Sequence, residues 1–239
     1  ALDGGDPALE ANYRDEVFEV EAPFSGEGRS LVKTTNRFSG IDWATDNTAI
    51  VYDYWWDTRN RKAYVFNPSN SSSKPKVLYD RNYQDIYSDP GSFLKARNTF
   101  NKSVLMLHKG NAYLRGAGFS KEGQFPFIDR LNTTTLNKSR VYQSKYTDKV
   151  EVIQDYNPST NDLIVRIESP TEYPNYYSKK TNGKKLSKIT HFENPFEELQ
   201  NVKKEVITYK RDDGLELSGI LYLPVNYDEE KKEKAPMIL

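Results

Sequence analysis

The chain has 239 residues, enough for one large domain or two small ones, and 34 Lys and Arg balance 34 Asp and Glu, so its formal net charge is zero. That balance argues against a nucleic-acid-binding protein, which usually carries a basic excess. The absence of cysteine and the presence of only two histidines exclude a disulfide framework, a thiolate zinc site and a multi-histidine metal site. No apolar run approaches the ~20 residues of a transmembrane helix, so we expect no membrane insertion.

The dominant local pattern is a series of short runs rich in Val, Ile, Tyr, Phe, Trp and Thr, separated by turn-forming residues, which predicts β-strands. Two strands are predicted first, at residues 16–22 and 30–34. Three sets of four then follow in chain order, at residues 41–43, 48–56, 62–66 and 76–79; at 103–107, 112–115, 125–129 and 140–142; and at 150–153, 163–167, 173–177 and 186–190.

A four-stranded unit that repeats every ~40–60 residues is typical of a β-propeller blade. Asn47, Asn101 and Asn161 recur at turns with about this spacing. We therefore expect a mainly β fold, a partial propeller of about three to four blades of four antiparallel strands, in which residues 16–34 end an earlier blade. A β-sandwich has similar short strands and regular turns, and stays open as the alternative.

The pattern changes near residue 192. Residues 193–199 are polar and contain a proline, which predicts a connection with at most one helical turn. A hairpin is then predicted from strands at 204–209 and 215–224, because Asp213-Gly214 supplies the positive φ of a tight turn. The apolar run 236–239 predicts the opening of another strand, and with the lack of a starting Met it indicates a piece of a longer protein.

Few residues offer catalytic chemistry. A G-x-S-x-G nucleophile turn is absent, and Ser120, whose flanking glycines have the wrong spacing, is expected to be an ordinary loop serine. His108 and His191 are expected at strand ends, without a carboxylate at metal-ligand spacing. We therefore predict no catalytic residue, no metal ligand and no cofactor within this chain.

Two further patterns have ordinary structural explanations. Three acidic pairs are expected to be turn formers and sheet-edge charges rather than acid/base partners: Asp53 with Asp57, Asp85 with Asp89, and Asp155 with Asp162. Tyr54-Trp55-Trp56 beside Arg59 and Arg61 has the composition of a platform for single-stranded nucleic acid. The zero net charge favours packing in the core and between blades instead.

Four stretches, at residues 37–43, 78–92, 168–177 and 201–224, resemble the prolyl oligopeptidase family of serine peptidases. The last includes the hairpin Asp213-Gly214-Leu215-Glu216-Leu217-Ser218-Gly219, and the internal stretches are similar to the glutamyl endopeptidase-like branch of bacteria and plant plastids. The resemblance covers nearly the whole chain. It implies propeller blades over residues 1–192, a linker over 193–201, and the start of an α/β-hydrolase domain over 202–239.

The resemblance also implies peptide-bond hydrolysis by a Ser-His-Asp triad with an oxyanion hole, in short peptides that the propeller admits. Both the triad and the oxyanion-hole donor would follow Leu239, so none maps onto this chain, which alone is expected to be inactive. Its expected role is to gate and position a peptide substrate, with cleavage after Glu as the specificity of the branch. Arg97 and Arg115 are candidates to pair with a substrate glutamate, and the substrate-binding residues stay unassigned.

Two other functions stay open at this point: a free-standing propeller-type module that binds proteins or glycans, and a sugar-binding sandwich. Open sheet edges present free backbone groups, which predicts self-association. The compartment is unassigned, and a soluble, periplasmic or secreted bacterial parent protein is one expectation.

Overall fold

The computed structural model describes residues 2–3, 11–228, 230–231 and 234–238. This part of the chain contains 22 strands, two 3-10 turns and no α-helix. The strands are β1 (Leu2–Asp3), β2 (Asp15–Glu19), β3 (Arg29–Thr34), β4 (Arg37–Thr45), β5 (Thr48–Trp55), β6 (Asn60–Phe66), β7 (Lys76–Asn82), β8 (Ser92–Phe93), β9 (Lys95–Arg97), β10 (Ser103–Leu105), β11 (Leu107–His108), β12 (Asn111–Gly116), β13 (Phe119–Ser120), β14 (Gly123–Gln124), β15 (Phe127–Asn132), β16 (Lys138–Gln143), β17 (Val150–Asn157), β18 (Asp162–Glu168), β19 (Asn175–Lys180), β20 (Leu186–Lys188), β21 (Lys203–Lys210) and β22 (Glu216–Leu223).

Four antiparallel sheets follow one another along the chain. The first has the order β1-β2-β3, the second β4-β5-β6-β7, the third is built on β11-β12-β15-β16, and the fourth has the order β17-β18-β19-β20. The prediction of a mainly β fold with four-stranded blades is therefore confirmed. The sandwich alternative is wrong, because a sandwich packs two sheets whereas here four meandering sheets pack in sequence.

The third sheet departs from the predicted strands in two places. The predicted strand 103–107 is split at Met106, whose N–H donates to Leu94 O (2.9 Å), and the two halves pair with different partners. The predicted strand 125–129 begins only at Phe127, because a small hairpin, β13–β14, is inserted between β12 and β15. Both irregularities come from inserted hairpins, which a pattern of apolar residues does not reveal.

The core lies between successive sheets. Leu31, Val51 and Tyr64 belong to a cluster between the first and second sheets. A second cluster joins the second and third sheets, and a third joins the third and fourth, where Ile128 and Leu163 are completely buried. Because the middle sheets are covered on both faces, β5 buries Ala49, Ile50 and Val51 in succession rather than in alternation.

Each of the three interfaces between sheets also contains a carboxylate that is at most 1% exposed: Asp53 in the first, Asp129 in the second and Glu151 in the third. Their partners differ. Asp129 pairs with Arg140 and Lys138, whereas Glu151 accepts from Lys179 Nζ (3.0 Å) and from the hydroxyl of Tyr142 (2.6 Å). A buried carboxylate needs such partners because burial removes its hydration.

The strand connections divide between two ends of the blades. The connections from second to third strands and between sheets lie at one end, at residues 56–59, 83–91, 117–126, 144–149 and 169–174. The C-terminal hairpin β21–β22 approaches this same end, because Lys204 lines a groove of about 470 Å³ together with residues 122–125, 146–150 and 168–170. We call this end the hairpin-side face.

The C-terminal hairpin has the predicted register, with Lys203 opposite Leu223 and Lys210 opposite Glu216, around a turn in which Gly214 has a φ of 87°. A single 3-10 turn, Glu197–Leu199, precedes it, within the segment where one helical turn was predicted. The strand predicted at 236–239 is not found at residues 236–238, and Leu239 lies outside the described residues.

Replacement of Lys179 tests how far the third interface depends on its buried ion pair. Lys179→Met leaves Glu151, which is completely buried, without its cation, and should reduce the free energy of unfolding by about 3–5 kcal/mol. The neighbouring pair Lys180–Asp162 is half exposed, so Lys180→Met should cost about 0–1 kcal/mol. Urea denaturation measures both, and equal losses in the two variants would contradict the prediction.

Candidate functional site

The serine and the two histidines that were candidates for catalysis lie at ordinary positions in turns, strand ends and connections. Ser120 lies in the β13–β14 hairpin, where its hydroxyl donates to Gly123 O (3.1 Å). His108 ends β11, and its Nδ1 lies 3.3 Å from the hydroxyl of Ser159 at an exposed position. His191 is exposed in the segment that follows β20. In the described part of the chain, no group of three or more His, Cys, Asp or Glu is placed to hold a metal ion.

The two carboxylates of each acidic pair lie in different surroundings and have different partners. Asp53 is buried while Asp57 lies in an exposed turn. In the second pair, Asp85 caps a 3-10 turn by accepting from Tyr87 N (3.0 Å), and Asp89 accepts from Gly91 N (2.8 Å). In the third pair, Asp162 forms an ion pair with Lys180 (2.7 Å), whereas Asp155 lies beside a β-bulge in β17.

The packing predicted for Tyr54-Trp55-Trp56 is wrong for two of the three residues, since Trp56 is 63% exposed and Tyr54 is 42% exposed. The reason is that this end of β5 extends past the apolar core to the hairpin-side face. Cations cover the rings instead, with the guanidinium of Arg14 5.0 Å from the ring of Trp55 and that of Arg59 5.4 Å from the ring of Trp56.

Arg97 and Arg115, the two candidates for binding a substrate glutamate, lie apart and have different partners. Arg115 is directed at the fourth sheet, where Nη1 donates to Ile153 O (3.2 Å) and to Gln154 O at the β-bulge of β17. Arg97 lies in the β9–β10 hairpin and donates to Asn101 O (2.9 Å). Each guanidinium therefore holds backbone carbonyls rather than lining a shared cavity.

A polar groove of about 520 Å³ lies between the second and third sheets, where their shared apolar core ends toward the hairpin-side face. Ile50 and Ala63 belong to that core, and the same face of the second sheet continues into Tyr52 and Arg61. We call this site the interblade groove. Its polar lining includes Asp42, Tyr52, Arg61, Tyr79, Arg81, Asp89 and Lys95.

Three polar groups of the interblade groove are paired with one another, and Arg81 has partners beside the groove. The carboxylate of Asp42 accepts from the Tyr52 hydroxyl (2.9 Å) and pairs with Lys95 Nζ. Burial, followed by the charge of Asp42, raises the pKa of Tyr52 well above its usual range, so this hydroxyl stays protonated. Arg81 donates to the hydroxyl of Ser88 (3.2 Å) and to Asp85 O.

Sequence reasoning predicted none of these residues as a site. They come from five strands, β4 to β7 and β9, and from the connection that follows β7, so no local motif unites them. The available signal was the resemblance of residues 37–43 and 78–92 to one family, because most residues that line the groove lie in those two stretches.

A second polar site surrounds Asp53 at the first interface. The carboxylate accepts from Asn36 N (3.1 Å), from Asn36 Nδ2 (3.0 Å) and from the hydroxyl of Tyr64 (3.0 Å). Asn36 and Thr35 also line a cavity of about 610 Å³ with Arg14 and Trp55. Burial raises the pKa of Tyr64 to about 12.

The ionisation of Tyr64 gives a measurable test of this arrangement. The ultraviolet difference titration between the protein and Tyr64→Phe should show a midpoint at a pKa of about 12 instead of 10.0. Because the pKa is raised in the folded protein, the contribution to stability is complete below pH 10 and is lost between pH 10 and 12, as the unfolded tyrosine ionises first. A difference titration with a midpoint near 10 would contradict the described burial.

Comparison with known proteins gives close sequence relatives. A protein named probable glutamyl endopeptidase, chloroplastic, from Arabidopsis thaliana is 33% identical over 253 aligned positions, which cover 99% of this chain and 26% of that protein. A protein of the same name from Oryza sativa subsp. japonica is also 33% identical, over 99% of this chain and 27% of that protein. The chain thus spans about a quarter of the length of the curated relatives it matches.

Solved structures show more distant likeness. Porphyromonas gingivalis dipeptidyl peptidase 4 aligns with a TM-score of 0.48 at 11% identity, over 84% of this chain and 34% of that protein. A putative dipeptidyl aminopeptidase IV from Bacteroides ovatus aligns with a TM-score of 0.44 at 16% identity, over 85% of this chain and 36% of that protein.

No protein-family model matches the chain. The assignment instead follows from the two relatives that align with nearly all of it, together with the four-stranded antiparallel blades seen in the structure. The chain is therefore related, over nearly its whole length, to about a quarter of each of these proteins named glutamyl endopeptidase, which supports its resemblance to the prolyl oligopeptidase family.

Proposed function

We propose that this chain is the non-catalytic, propeller-containing part of a serine oligopeptidase. The observation that carries the proposal is the match of 99% of the chain to about a quarter of proteins named glutamyl endopeptidase. In this proposal the substrate is a short peptide, and cleavage after Glu is the specificity that the relatives' name implies for this chain.

The blades gate and position the substrate in this proposal, and residues 202–239 begin the α/β-hydrolase domain. Its support is the position of the β21–β22 hairpin, which approaches the hairpin-side face of the blades. The interblade groove opens toward the same face, so a peptide bound there would lie on the side of the blades where the hydrolase domain begins.

The composition of the hairpin supports its assignment to a larger sheet. Val206 and Ile220 are opposite each other and are 75% and 60% exposed, while Ile207 and Leu217 lie on the other face. A two-stranded hairpin that exposes apolar residues on both faces is typical of strands covered on both sides within an α/β sheet. Self-association of the 239-residue chain through such exposed apolar strands and open edges stays a prediction.

Covalent labelling tests the proposal. The 239-residue chain should not react with a fluorophosphonate probe, because the triad serine lies outside it. The protein expressed from the complete reading frame that contains this sequence should be labelled. It should also cleave short peptides after Glu faster than their Gln counterparts, and leave a folded protein substrate largely intact.

Three results would contradict the proposal. Labelling of the 239-residue chain would place a nucleophile within it. A complete reading-frame product without labelling would favour a free-standing binding module. Rapid cleavage of a folded protein substrate would contradict the gating role of the blades.

A further inference from the structure

Arg61 differs from the other two cations of the interblade groove because, among the described residues, its guanidinium has no hydrogen-bond or ion-pair partner. Lys95 pairs with Asp42, and Arg81 is held by Ser88 and by the carbonyl of Asp85. Within residues 11–228, the contact of the Arg61 guanidinium is with the ring of Tyr52, 5.4 Å from its centroid, and no hydrogen bond or ion pair to a side chain accompanies it. The guanidinium is therefore positioned by stacking while its donors stay available.

The strand register adds an electrostatic argument. Arg61 in β6 is directly opposite Arg81 in β7, and residues that are paired in this way project to the same face of the sheet. Like charges at such positions repel each other, and an anion bound between them would remove that repulsion. Three cations of the groove, Arg61, Arg81 and Lys95, face two carboxylates, Asp42 and Asp89, so the groove has a cationic excess.

The geometry of the donors favours one kind of anion. A guanidinium presents parallel N–H donors that match the two oxygens of a carboxylate. Burial raises the pKa of Tyr79, which also lines the groove, so its hydroxyl stays protonated and adds a neutral donor. Pro90, which lines the groove and is partly exposed, offers an apolar surface for the carbon atoms of a peptide.

We propose that the interblade groove is a peptide-binding site in which Arg61, stacked on Tyr52, binds a carboxylate of the peptide. The carboxylate is that of an acidic side chain or of the peptide C-terminus, since both present the same two oxygens. The inference rests on the proposed function for the peptidic nature of the ligand, and it assigns recognition to one residue of the second sheet.

Calorimetric titration of the 239-residue chain with three peptides tests the assignment. The first peptide is N-acetylated and C-amidated and contains one Glu, the second has Gln in its place, and the third is the Gln peptide with a free C-terminal carboxylate. The chain should bind the Glu peptide about tenfold or more tightly than the amidated Gln peptide, since a charged hydrogen-bonded pair would be lost. The third peptide shows whether a C-terminal carboxylate serves equally well.

Two substitutions separate Arg61 from general electrostatic attraction. Arg61→Gln should bind the Glu and Gln peptides equally, and Arg61→Lys should recover part of the preference, because an ammonium carries the charge without the paired donors. Arg97→Gln is the matched control, since Arg97 is exposed in the β9–β10 hairpin and contacts Asn101 O instead of the groove. It should keep the full preference. Circular dichroism of each variant confirms that the fold is intact.

The inference is overturned if the chain binds none of the peptides, binds the Glu and Gln peptides equally, or retains its preference in Arg61→Gln. It is also overturned if Arg97→Gln loses the preference as Arg61→Gln does. These failures are distinct from a failure of the proposed function, which is decided by fluorophosphonate labelling of the complete reading-frame product and does not depend on Arg61.

Discussion

The structure depends on face-to-face packing of successive β-sheets. Each sheet alone is a narrow meander, and a few strands with one apolar face are marginally stable in water. Stacking covers both faces of the second and third sheets. Ile50, Ile128 and Leu163 are each buried in an interface between two adjacent sheets. The fold therefore depends on apolar contacts between sheets in addition to the backbone pairing within them.

The same interfaces contain buried charge, which restricts how the sheets can be arranged. Glu151 lies in the fourth sheet, but Tyr142, one of its partners, belongs to the third. Arg115 reaches in the same direction from the third sheet to carbonyls of the fourth. A displaced sheet would leave these groups unpaired in a poorly hydrated space, which costs far more than the loss of an apolar contact. The polar groups thus favour one alignment of the blades.

The interblade groove is a consequence of this packing rather than a separate addition. The apolar contact between the second and third sheets ends before the strands do, because β5 and β6 continue beyond Ile50 and Ala63 to Tyr52 and Arg61. The continuing strand ends carry polar and aromatic side chains toward the hairpin-side face. The second sheet is apolar where it packs against the third, and it carries polar side chains where the shared core stops.

The sequence by itself determined the strands, the four-stranded repeat and the C-terminal hairpin, because strand formation follows local apolar runs and Asp213-Gly214 specifies a tight turn. It also indicated the resemblance to the prolyl oligopeptidase family, since the stretches that carry this resemblance are continuous in the chain. It did not reveal the hairpins inserted around β9–β10 and β13–β14, nor the exposure of Tyr54 and Trp56.

Only the tertiary structure decided which polar residues meet. Asp42, Arg61 and Lys95 come from different strands and line one groove because the strands pair and the sheets stack. Their spacing in the sequence gives no indication that they lie in the same groove. Likewise, the pairing of Lys95 with Asp42, which leaves Arg61 without an anion, depends on side-chain distances across two sheets. Interactions between residues close in the sequence specify the strands. The way in which the sheets stack depends on packing between residues that are far apart in the sequence.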